Sequence, residues 1–486
     1  MGRERDGRDD RIRTCDLCVP NAALYQTEPH LDLSQSTLIL YHSTMDLSRA
    51  LDKKTYFFCE KISNAEFSRQ FSPKQKAYLL NRSGICAIIV LSHTGGAQMQ
   101  RKIISVLEEA VNNDDIAGAN VLVLHNGMEK AYLASGFIDK ENGRKMARDT
   151  IFRLYSQTKP VTAAAAVSLM EQGRLDAGAW LSDYLPEFSE MFVRKNGARV
   201  PAQKHITVSD LLNMTSGIPY PGDDETGRQS GAVFWEIEQN VRSDKPITTA
   251  EFARKMAAND LSFEPGERFM YGASADILGA VIEKVSGMSL RDYMMSTFFE
   301  PLGMSDTDFY VPQEKAGRLA KIYDYTENGL QELRVDNLGL IYERNRVPAF
   351  QSGGAGLCST LDDYARFAQM LMNGGAYGGR KILSQTAVKF LTHGGLASHQ
   401  KPQLEEGWGW MRGYTYGNLM RVCDNESMTT LFSSKGEYGW DGWAGTFFSN
   451  EPSHGITLLF GVQQAGVGRA GNVVRKIKNI VMSELA

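Results

Sequence analysis

An uncharged, alanine-rich run limits the possible folds of this chain more than any other stretch of its sequence. It extends from Val161 through Met170 without a single charged residue. A helix that lacks a charged face is buried on most sides, so this run predicts a helix that other elements must cover. At 486 residues the chain exceeds the usual size of one domain, and we expect two lobes or a core with an appendage.

A serine and a lysine stand just before this run at helical spacing. Ser156 and Lys159 are three positions apart, so on a helix their Cβ atoms lie roughly 5–6 Å from each other on one side. A lysine at that distance can take the serine proton and turn the hydroxyl into a nucleophile. A serine at a helix start also lies beside free backbone N–H groups and the positive end of the helix dipole, which suits a developing oxyanion.

The Ser-x-x-Lys spacing also arises by chance, roughly once or twice in a chain of this length. A second copy, Ser398 to Lys401, follows the dipeptide Gly394-Gly395 and precedes Pro402, with no apolar helix behind it. We interpret this second copy as accidental. The first copy needs partners elsewhere in the chain.

Two later stretches can supply those partners. Tyr271 follows a Pro-Gly turn and precedes an apolar helix, so its phenol can relay a proton to a leaving group; the alternative is one buried tyrosine among nineteen. Residues 438–446 form a glycine-rich turn that runs into a strand. Such an edge strand can offer a backbone N–H to an oxyanion and line a substrate slot, or it can be a simple hairpin packed by two tryptophans.

The order of the predicted elements indicates the fold class. An amphipathic helix beginning at Met99 is followed by a hairpin around Asn126-Gly127, and strand-like runs with a closing helix return after residue 405. The chain between them is mainly helical, with a helical lobe over roughly residues 175–350. This order predicts an α/β (α+β) fold in which both ends of the chain build a sheet and a mostly helical lobe is inserted.

Residues 1–98 differ from residues 99–486, which form the predicted globular domain. The front segment holds four of the six cysteines and shows little sustained periodicity, and its longest apolar run, 85–91, is only of strand length. Two interpretations stay open: a poorly ordered extension, or an over-extended gene start whose true initiator is Met99. The similarity of residues 8–17 to a stretch that recurs in over-extended bacterial reading frames slightly favours the second.

Composition and missing motifs argue against several classes of function. A net charge of −4 without a basic block argues against nucleic acid, and no apolar stretch approaches the ~20 residues of a membrane helix. The N-terminus lacks the apolar core of a signal peptide, so we expect a cytoplasmic protein with free thiols. Cys15 and Cys18 lack the second pair that a zinc site needs, and no phosphate loop occurs. We therefore expect no metal and no cofactor.

Taken together, the motifs resemble those of the serine β-lactamase and penicillin-binding-protein superfamily. The resemblance is strongest to its class C branch, which includes the family VIII carboxylesterases, and it covers roughly residues 100–480. The matching motifs, in chain order, are Ser156-x-x-Lys159, Tyr271-Gly272-Ala273 and Trp440-Asp441-Gly442. The resemblance implies a mostly antiparallel sheet flanked by helices, with the site between the sheet and the helical lobe.

The resemblance also implies a role for each matching residue. Ser156 is the acylated nucleophile, Lys159 is its base partner, and Tyr271 is the general acid and base. The backbone N–H groups of Ser156 and Trp443 form the oxyanion hole. The third motif lines the substrate slot with Trp440, Asp441 and Gly442.

Departures from the family pattern predict the substrate class. β-Lactamases of this superfamily usually begin the third motif with a lysine that attracts the drug's carboxylate, whereas this chain has Trp440. An Asp441 exposed to the slot would repel a carboxylate. Ala273 stands where the β-lactamase pattern has asparagine, and β-lactam targets lie outside the cytoplasm.

These departures favour a serine hydrolase that cleaves a carboxylic ester with a short acyl chain through an acyl-enzyme. Its expected partner is a small-molecule acyl substrate, with no nucleic acid or membrane and with the oligomeric state left open. Two alternatives remain: a D-amino-acid peptidase, amidase or weak β-lactamase, and a catalytically silent binding protein of the same fold.

Overall fold

The computed structural model describes two compact units, residues 1–94 and residues 95–486. The described residues are 37–40, 75–82, 85–92, 96–195, 197–465 and 468–486. In the first unit three strands form an antiparallel sheet with the third strand in the middle: Thr37–Leu40, Gln75–Arg82 and Ile85–Ser92. Cys15 and Cys18 lie outside the described residues, and the predicted nature of the front segment stays a prediction.

An eight-stranded sheet forms the base of the second unit. Its strands are β1 Gly118–His125, β2 Met128–Asp139, β3 Arg144–Lys145, β4 Tyr414–Gly417, β5 Met420–Cys423, β6 Tyr438–Asp441, β7 Phe447–Glu451 and β8 Ile456–Val462. The spatial order is β4-β5-β6-β7-β8-β1-β2-β3, and all neighbours pair antiparallel. Both ends of the chain therefore meet in one sheet, which confirms the predicted fold class.

The first hairpin of this sheet shows how local sequence sets the register. Asn126 and Gly127 join β1 to β2 with φ angles of 52° and 75°. Two consecutive positive φ angles are what a type I′ turn requires, and its twist matches that of the flanking strands. His125 consequently pairs with Met128.

Five helices cover the two faces of the sheet. They are α1 Gly96–Asn112, α2 Lys159–Glu171, α3 Ser274–Ser286, α4 Leu361–Met372 and α5 Gly468–Leu485. On one face α1 and α5 pack against alternate strand residues such as Val121 and Phe460. On the other face α2, α3 and α4 share a larger core that includes Leu122 and Leu459. The alternation of strand side chains divides the two cores.

Shorter elements complete the second unit. Helices between α2 and α4 are Leu181–Tyr184, Val208–Leu212, Glu225–Asn240, Thr249–Ala257, Leu290–Met294, Met295–Phe299 and Glu300–Leu302, and after α4 come Gln385–Leu391 and Lys401–Gly407. Two-stranded pairs are Phe152–Arg153 with Cys358–Ser359, Phe192–Lys195 with Ala198–Pro201, Tyr323–Thr326 with Gly329–Glu332, and Ala376–Tyr377 with Arg380–Lys381. Of the helices in the described ranges, none has the length and apolar character needed to cross a membrane.

The alanine-rich helix α2 lies at the centre, as its sequence predicts. Every residue from Lys159 through Leu169 is buried. Small side chains let neighbouring helices approach closely, and α3 packs directly against α2 in the larger core. The N-terminus of α2 is thereby held in place from several sides, which is what a precisely placed nucleophile needs.

Candidate active site

The predicted nucleophile lies in a short turn that leads into α2. A 3₁₀ turn spans Tyr155–Thr158, and Lys159 is the first residue of the helix. The Ser156 side chain is half-buried, whereas its neighbours on both sides are buried. Tyr155 has a φ of 45°, in the left-handed region that bulky residues rarely adopt. The backbone is therefore strained directly before the serine, as is common at functional sites.

Lys159 meets Ser156 as the spacing predicts. Its Nζ lies 3.1 Å from Ser156 Oγ, 3.1 Å from Tyr220 Oη and 2.9 Å from the carbonyl oxygen of Gly354. The lysine is fully buried, and burial lowers its pKa to about 7, while the charge of Asp276 opposes this decrease. A large fraction of Lys159 is consequently neutral near pH 7, which a general base requires.

Tyr271 also reaches the site. Its Oη accepts a hydrogen bond of 2.9 Å from Trp440 Nε1, and its ring centroid is 4.6 Å from Lys159 Nζ. Burial raises the pKa of the phenol well above its usual value, and the nearby Ser156 hydroxyl and Trp440 N–H only partly oppose this. The phenol therefore stays protonated at neutral pH, ready to donate a proton rather than to remove one.

A buried tyrosine and aspartate, which the sequence interpretation missed, extend the contacts of Lys159. Tyr220 Oη donates to Asp276 Oδ2 at 3.4 Å. The Asp276 carboxylate also accepts hydrogen bonds from Ser352 Oγ at 2.5 Å and from the Gly354 N–H at 3.0 Å. Burial raises the pKa of Asp276, and the nearby Lys159 ammonium opposes this increase. The base is thus held by a chain of hydrogen bonds that ends in a carboxyl group.

Glycine at position 354 is required by this arrangement. A Cβ added there would lie 2.6 Å from Asp276 Oδ2 and 2.7 Å from Tyr220 Oη. Real Cβ atoms do not approach so closely, so only glycine lets the backbone pass beside these two groups. The sequence contained a partial signal, since Asp276 follows Tyr271 by five residues. The contacts that Tyr220 and Asp276 make near Lys159 could be recognised only in the fold.

The third motif packs against the chain just before the nucleophile. A Cβ on Gly442 would lie 2.3 Å from the carbonyl oxygen of Leu154, and the Trp443 ring meets the Tyr155 ring edge-on with centroids 5.0 Å apart. Within the described part of the chain, neither the Ser156 N–H nor the Trp443 N–H donates a hydrogen bond. Both N–H groups, predicted to form the oxyanion hole, are therefore available to a substrate.

Asp441 does not occupy the place that the sequence predicts for it. Alternation along β6 puts Asp441 on the same face as Gly439, which pairs with Arg421, and on the opposite face from Trp440. There its Oδ1 accepts a bond of 2.7 Å from Arg421 Nη1. The carboxylate is therefore paired with Arg421 on the far side of the strand and is not directed into the slot.

Aromatic side chains surround the remaining part of the slot. Trp408 meets Tyr271 edge-on at 5.0 Å and Trp440 at 5.8 Å, and Trp440 meets Tyr416 at 4.9 Å. Trp408 and Tyr271 are half-buried, so part of each ring faces the open side of the site. The sequence placed Trp408 in a strand-like run, but it follows the helix Lys401–Gly407 and forms a wall beside the tyrosine.

The second Ser-x-x-Lys copy has no such surroundings. Ser398 lies in a turn, and Lys401 begins a short helix with its ammonium paired to Asp424. The interpretation of this copy as accidental agrees with its environment.

The contacts described above define a class of site. A serine hydroxyl at a helix start, a buried lysine, a protonated tyrosine and two free backbone N–H groups are the parts of a serine acyl-transfer centre. Among the described residues no group of three or more His, Cys, Asp or Glu is placed to bind a metal ion.

The chain belongs to the β-lactamase family of serine hydrolases, whose family model, described as "Beta-lactamase", matches residues 103–476. It is 32% identical to Protein Rv1367c of Mycobacterium tuberculosis over 68% of this chain and 81% of that protein. It is 26% identical to Esterase EstB of Burkholderia gladioli, over 79% of this chain and 95% of that protein.

A solved structure shows the same fold at similar identity. EstCE1, described as a hydrolase with promiscuous acyltransferase activity, is 26% identical and superimposes with a TM-score of 0.68 over 80% of this chain and 99% of that one. The predicted membership of the serine β-lactamase and penicillin-binding-protein superfamily is confirmed.

Proposed function

We propose that this protein hydrolyses carboxylic esters with short, uncharged acyl groups through an acyl-enzyme on Ser156. The observation that carries the proposal is Trp440, which stands where β-lactamases of the superfamily usually have a lysine. Its indole N–H donates to Tyr271 Oη, and its ring joins an aromatic wall. This position therefore holds a buried, uncharged ring where a cation for a substrate carboxylate would otherwise lie.

The first half of the reaction transfers the acyl group to the serine. Neutral Lys159 takes the Ser156 hydroxyl proton while Oγ bonds to the ester carbonyl carbon, and the carbonyl electrons move onto oxygen. The N–H groups of Ser156 and Trp443 stabilise that oxyanion. When the oxyanion collapses, the bond to the alcohol oxygen breaks, and Tyr271 gives its proton to the departing oxygen. Tyr271 regains a proton from the Lys159 ammonium, so the serine proton ends on the alcohol.

The second half returns the enzyme to its starting state. A water molecule attacks the acyl carbon of the Ser156 ester while its proton passes to neutral Lys159 through Tyr271. The bond between Ser156 Oγ and the acyl carbon then breaks, the Lys159 ammonium returns that proton to the serine oxygen, and the carboxylic acid leaves. The raised pKa of Tyr271 suits this relay, because the phenol keeps a proton between steps and loses it only briefly during each transfer.

Two relatives support the ester as substrate. Esterase EstB and the hydrolase EstCE1 are each 26% identical to this chain over about four fifths of its length. A neutral acyl group also suits the half-buried Trp408 ring beside Tyr271, because apolar surface gains free energy when it leaves water.

The test is hydrolysis of p-nitrophenyl acetate and butyrate by the variants S156A and S398A. We expect S156A to lose at least about a thousandfold in kcat, because triad-type nucleophiles cost that much or more when removed. S398A changes the accidental copy of the motif and should keep wild-type rates. Ester hydrolysis by S156A would contradict the assignment, and faster turnover of a chromogenic cephalosporin or a D-alanyl peptide than of the esters would contradict the substrate class.

A further inference from the structure

Arg344 is a buried arginine close to the nucleophile turn. Only 2% of its surface is exposed. Its Nη1 donates to the carbonyl oxygen of Gly356 at 2.9 Å, and its Nη2 donates to that of Ala355 at 3.4 Å. The Nε atom is buried without a partner. In the described part of the chain Arg344 forms no ion pair, and a guanidinium buried without a paired carboxylate is costly.

The guanidinium also faces the residue before the nucleophile. Its central carbon lies 5.7 Å from the centroid of the Tyr155 ring, a cation–π arrangement. The same ring meets Trp443 edge-on at 5.0 Å. Tyr155 is therefore held between Arg344 and the residue that carries the second free N–H.

Both partners of this contact have unusual backbones. Tyr155 has a φ of 45° and Arg344 has a φ of 52°. Left-handed conformations of large residues persist only where the surrounding structure holds them. The Tyr155 ring is held by its packing against Arg344 on one side and Trp443 on the other.

We propose that Arg344 is a positioning residue that sets the oxyanion hole by holding Tyr155 in its strained conformation. The peptide that joins Tyr155 to Ser156 carries the first oxyanion N–H, so a rotation of the Tyr155 backbone turns that N–H away from the substrate. Arg344 binds the carbonyls next to Gly354, whose own carbonyl accepts a hydrogen bond from Lys159. One side chain thereby supports both the oxyanion donor and the base. The inference rests on Ser156 being the nucleophile.

The first test compares R344M with R346M in the full-length protein. Arg346 is exposed in the same loop and touches none of these groups, so it is the matched control. We expect R344M to lower kcat for p-nitrophenyl butyrate roughly 10- to 100-fold, with less than about a twofold change in KM, because a misdirected oxyanion donor acts only on the transition state. R344K keeps the charge over the ring and should recover part of the loss.

The second test asks whether Arg344 acts through Tyr155. Glycine adopts a φ of 45° without strain, so the backbone of a Y155G variant needs no support at that position. R344M should then cost less than about twofold in the Y155G background, and the double-mutant cycle measures this coupling. Thermal unfolding of each variant shows whether it is folded at the assay temperature.

Labelling with a fluorophosphonate probe distinguishes a failure of the role proposed for Arg344 from a failure of the proposed function. The labelling reaction needs a nucleophile and an oxyanion hole but no particular ester. Fast labelling of Ser156 in the wild type and R346M with slow labelling of R344M supports the inference. Equal rates for R344M and R346M, or an equal loss in both Tyr155 backgrounds, would overturn it. Absence of labelling in the wild type would overturn the proposed function as well.

Discussion

At the scale of single residues, the chemistry of this site depends on burial. The Lys159 amine would be protonated in water at neutral pH, but inside the protein its pKa falls to about 7 because burial removes its hydration. The same burial raises the pKa of Tyr271 and keeps its proton in place. Two groups whose ordinary pKa values are similar are therefore separated into a base and an acid.

The pH dependence of catalysis follows from this separation. Only neutral Lys159 accepts the serine proton, so we expect kcat/KM for a neutral ester to rise with pH and to level off above a midpoint near 7. In D276N the negative charge that favours the ammonium is gone, so the midpoint should move to lower pH. The exposed D223N variant is the control and should keep the wild-type midpoint. A wild-type midpoint above pH 9 would show that burial does not lower the pKa of Lys159 to the neutral range.

At the scale of secondary-structure elements, the site exists where β6 and the start of α2 come together. The strand before the nucleophile and the third motif approach through backbone atoms, with Gly442 against Leu154. Thr446 Oγ1 donates to the same Leu154 carbonyl at 3.3 Å. Two segments almost three hundred residues apart are thus held in contact at the Leu154 carbonyl, by the close approach of Gly442 and by the Thr446 hydroxyl.

A methyl group at position 442 should separate these segments. The Cβ of G442A would lie 2.3 Å from the Leu154 carbonyl oxygen, and backbone on both sides must move to admit it. We expect G442A to lower the free energy of unfolding by ~1–3 kcal/mol and kcat by more than tenfold. Gly409 has no atom within 4 Å of an added Cβ, so G409A serves as the control in urea unfolding and ester turnover.

At the scale of the whole molecule, a buried charge cluster joins the C-terminal helix to the sheet. Lys478 of α5 lies 3.2 Å from Glu437 and 3.1 Å from Glu451, and Arg421 lies 3.1 Å from Glu437. Arg421 also binds Asp441 in the third motif. Three carboxyl groups share two cations, so the cluster is neutral when one carboxyl group keeps its proton. The end of the chain is thereby tied to the strand that carries the substrate slot.

The free energy of unfolding should depend on pH because this cluster holds a proton in the folded state. Burial raises the pKa of Glu451 to about 7 despite the attraction of Lys478, and the charge of Glu437 adds to the increase. The folded protein therefore binds a proton more tightly than the unfolded chain, whose glutamate titrates near 4.5. The free energy of unfolding should fall as pH rises from about 4.5 to about 7, by on the order of 1–3 kcal/mol.

The variant E451Q tests this assignment because glutamine resembles the protonated carboxyl group. Denaturant unfolding should show E451Q close to the wild type at pH 4.5 and more stable than the wild type at pH 8. The exposed E426Q variant should follow the wild type at both values. If E451Q loses stability equally at both pH values, the proton is not held at this position.

The features of this protein that depend on local spacing follow from short stretches of its sequence. Ser156 and Lys159 lie one helical turn apart, and their contact at 3.1 Å follows from helix geometry. The Asn-Gly hairpin, the buried alanine-rich helix and a sheet built from both ends of the chain are likewise consequences of short patterns. The order of the three motifs along the chain was enough to indicate the superfamily.

Which distant residues complete the site, and which way their side chains point, depends on the fold as a whole. Tyr220 meets Lys159 across 61 positions, and Trp440 meets Tyr271 across 169. Asp441 pairs with Arg421 because strand alternation turns it away from Trp440. Contacts over such separations are set by how helices and sheet pack, and a packing arrangement depends on the whole chain rather than on any local pattern within it.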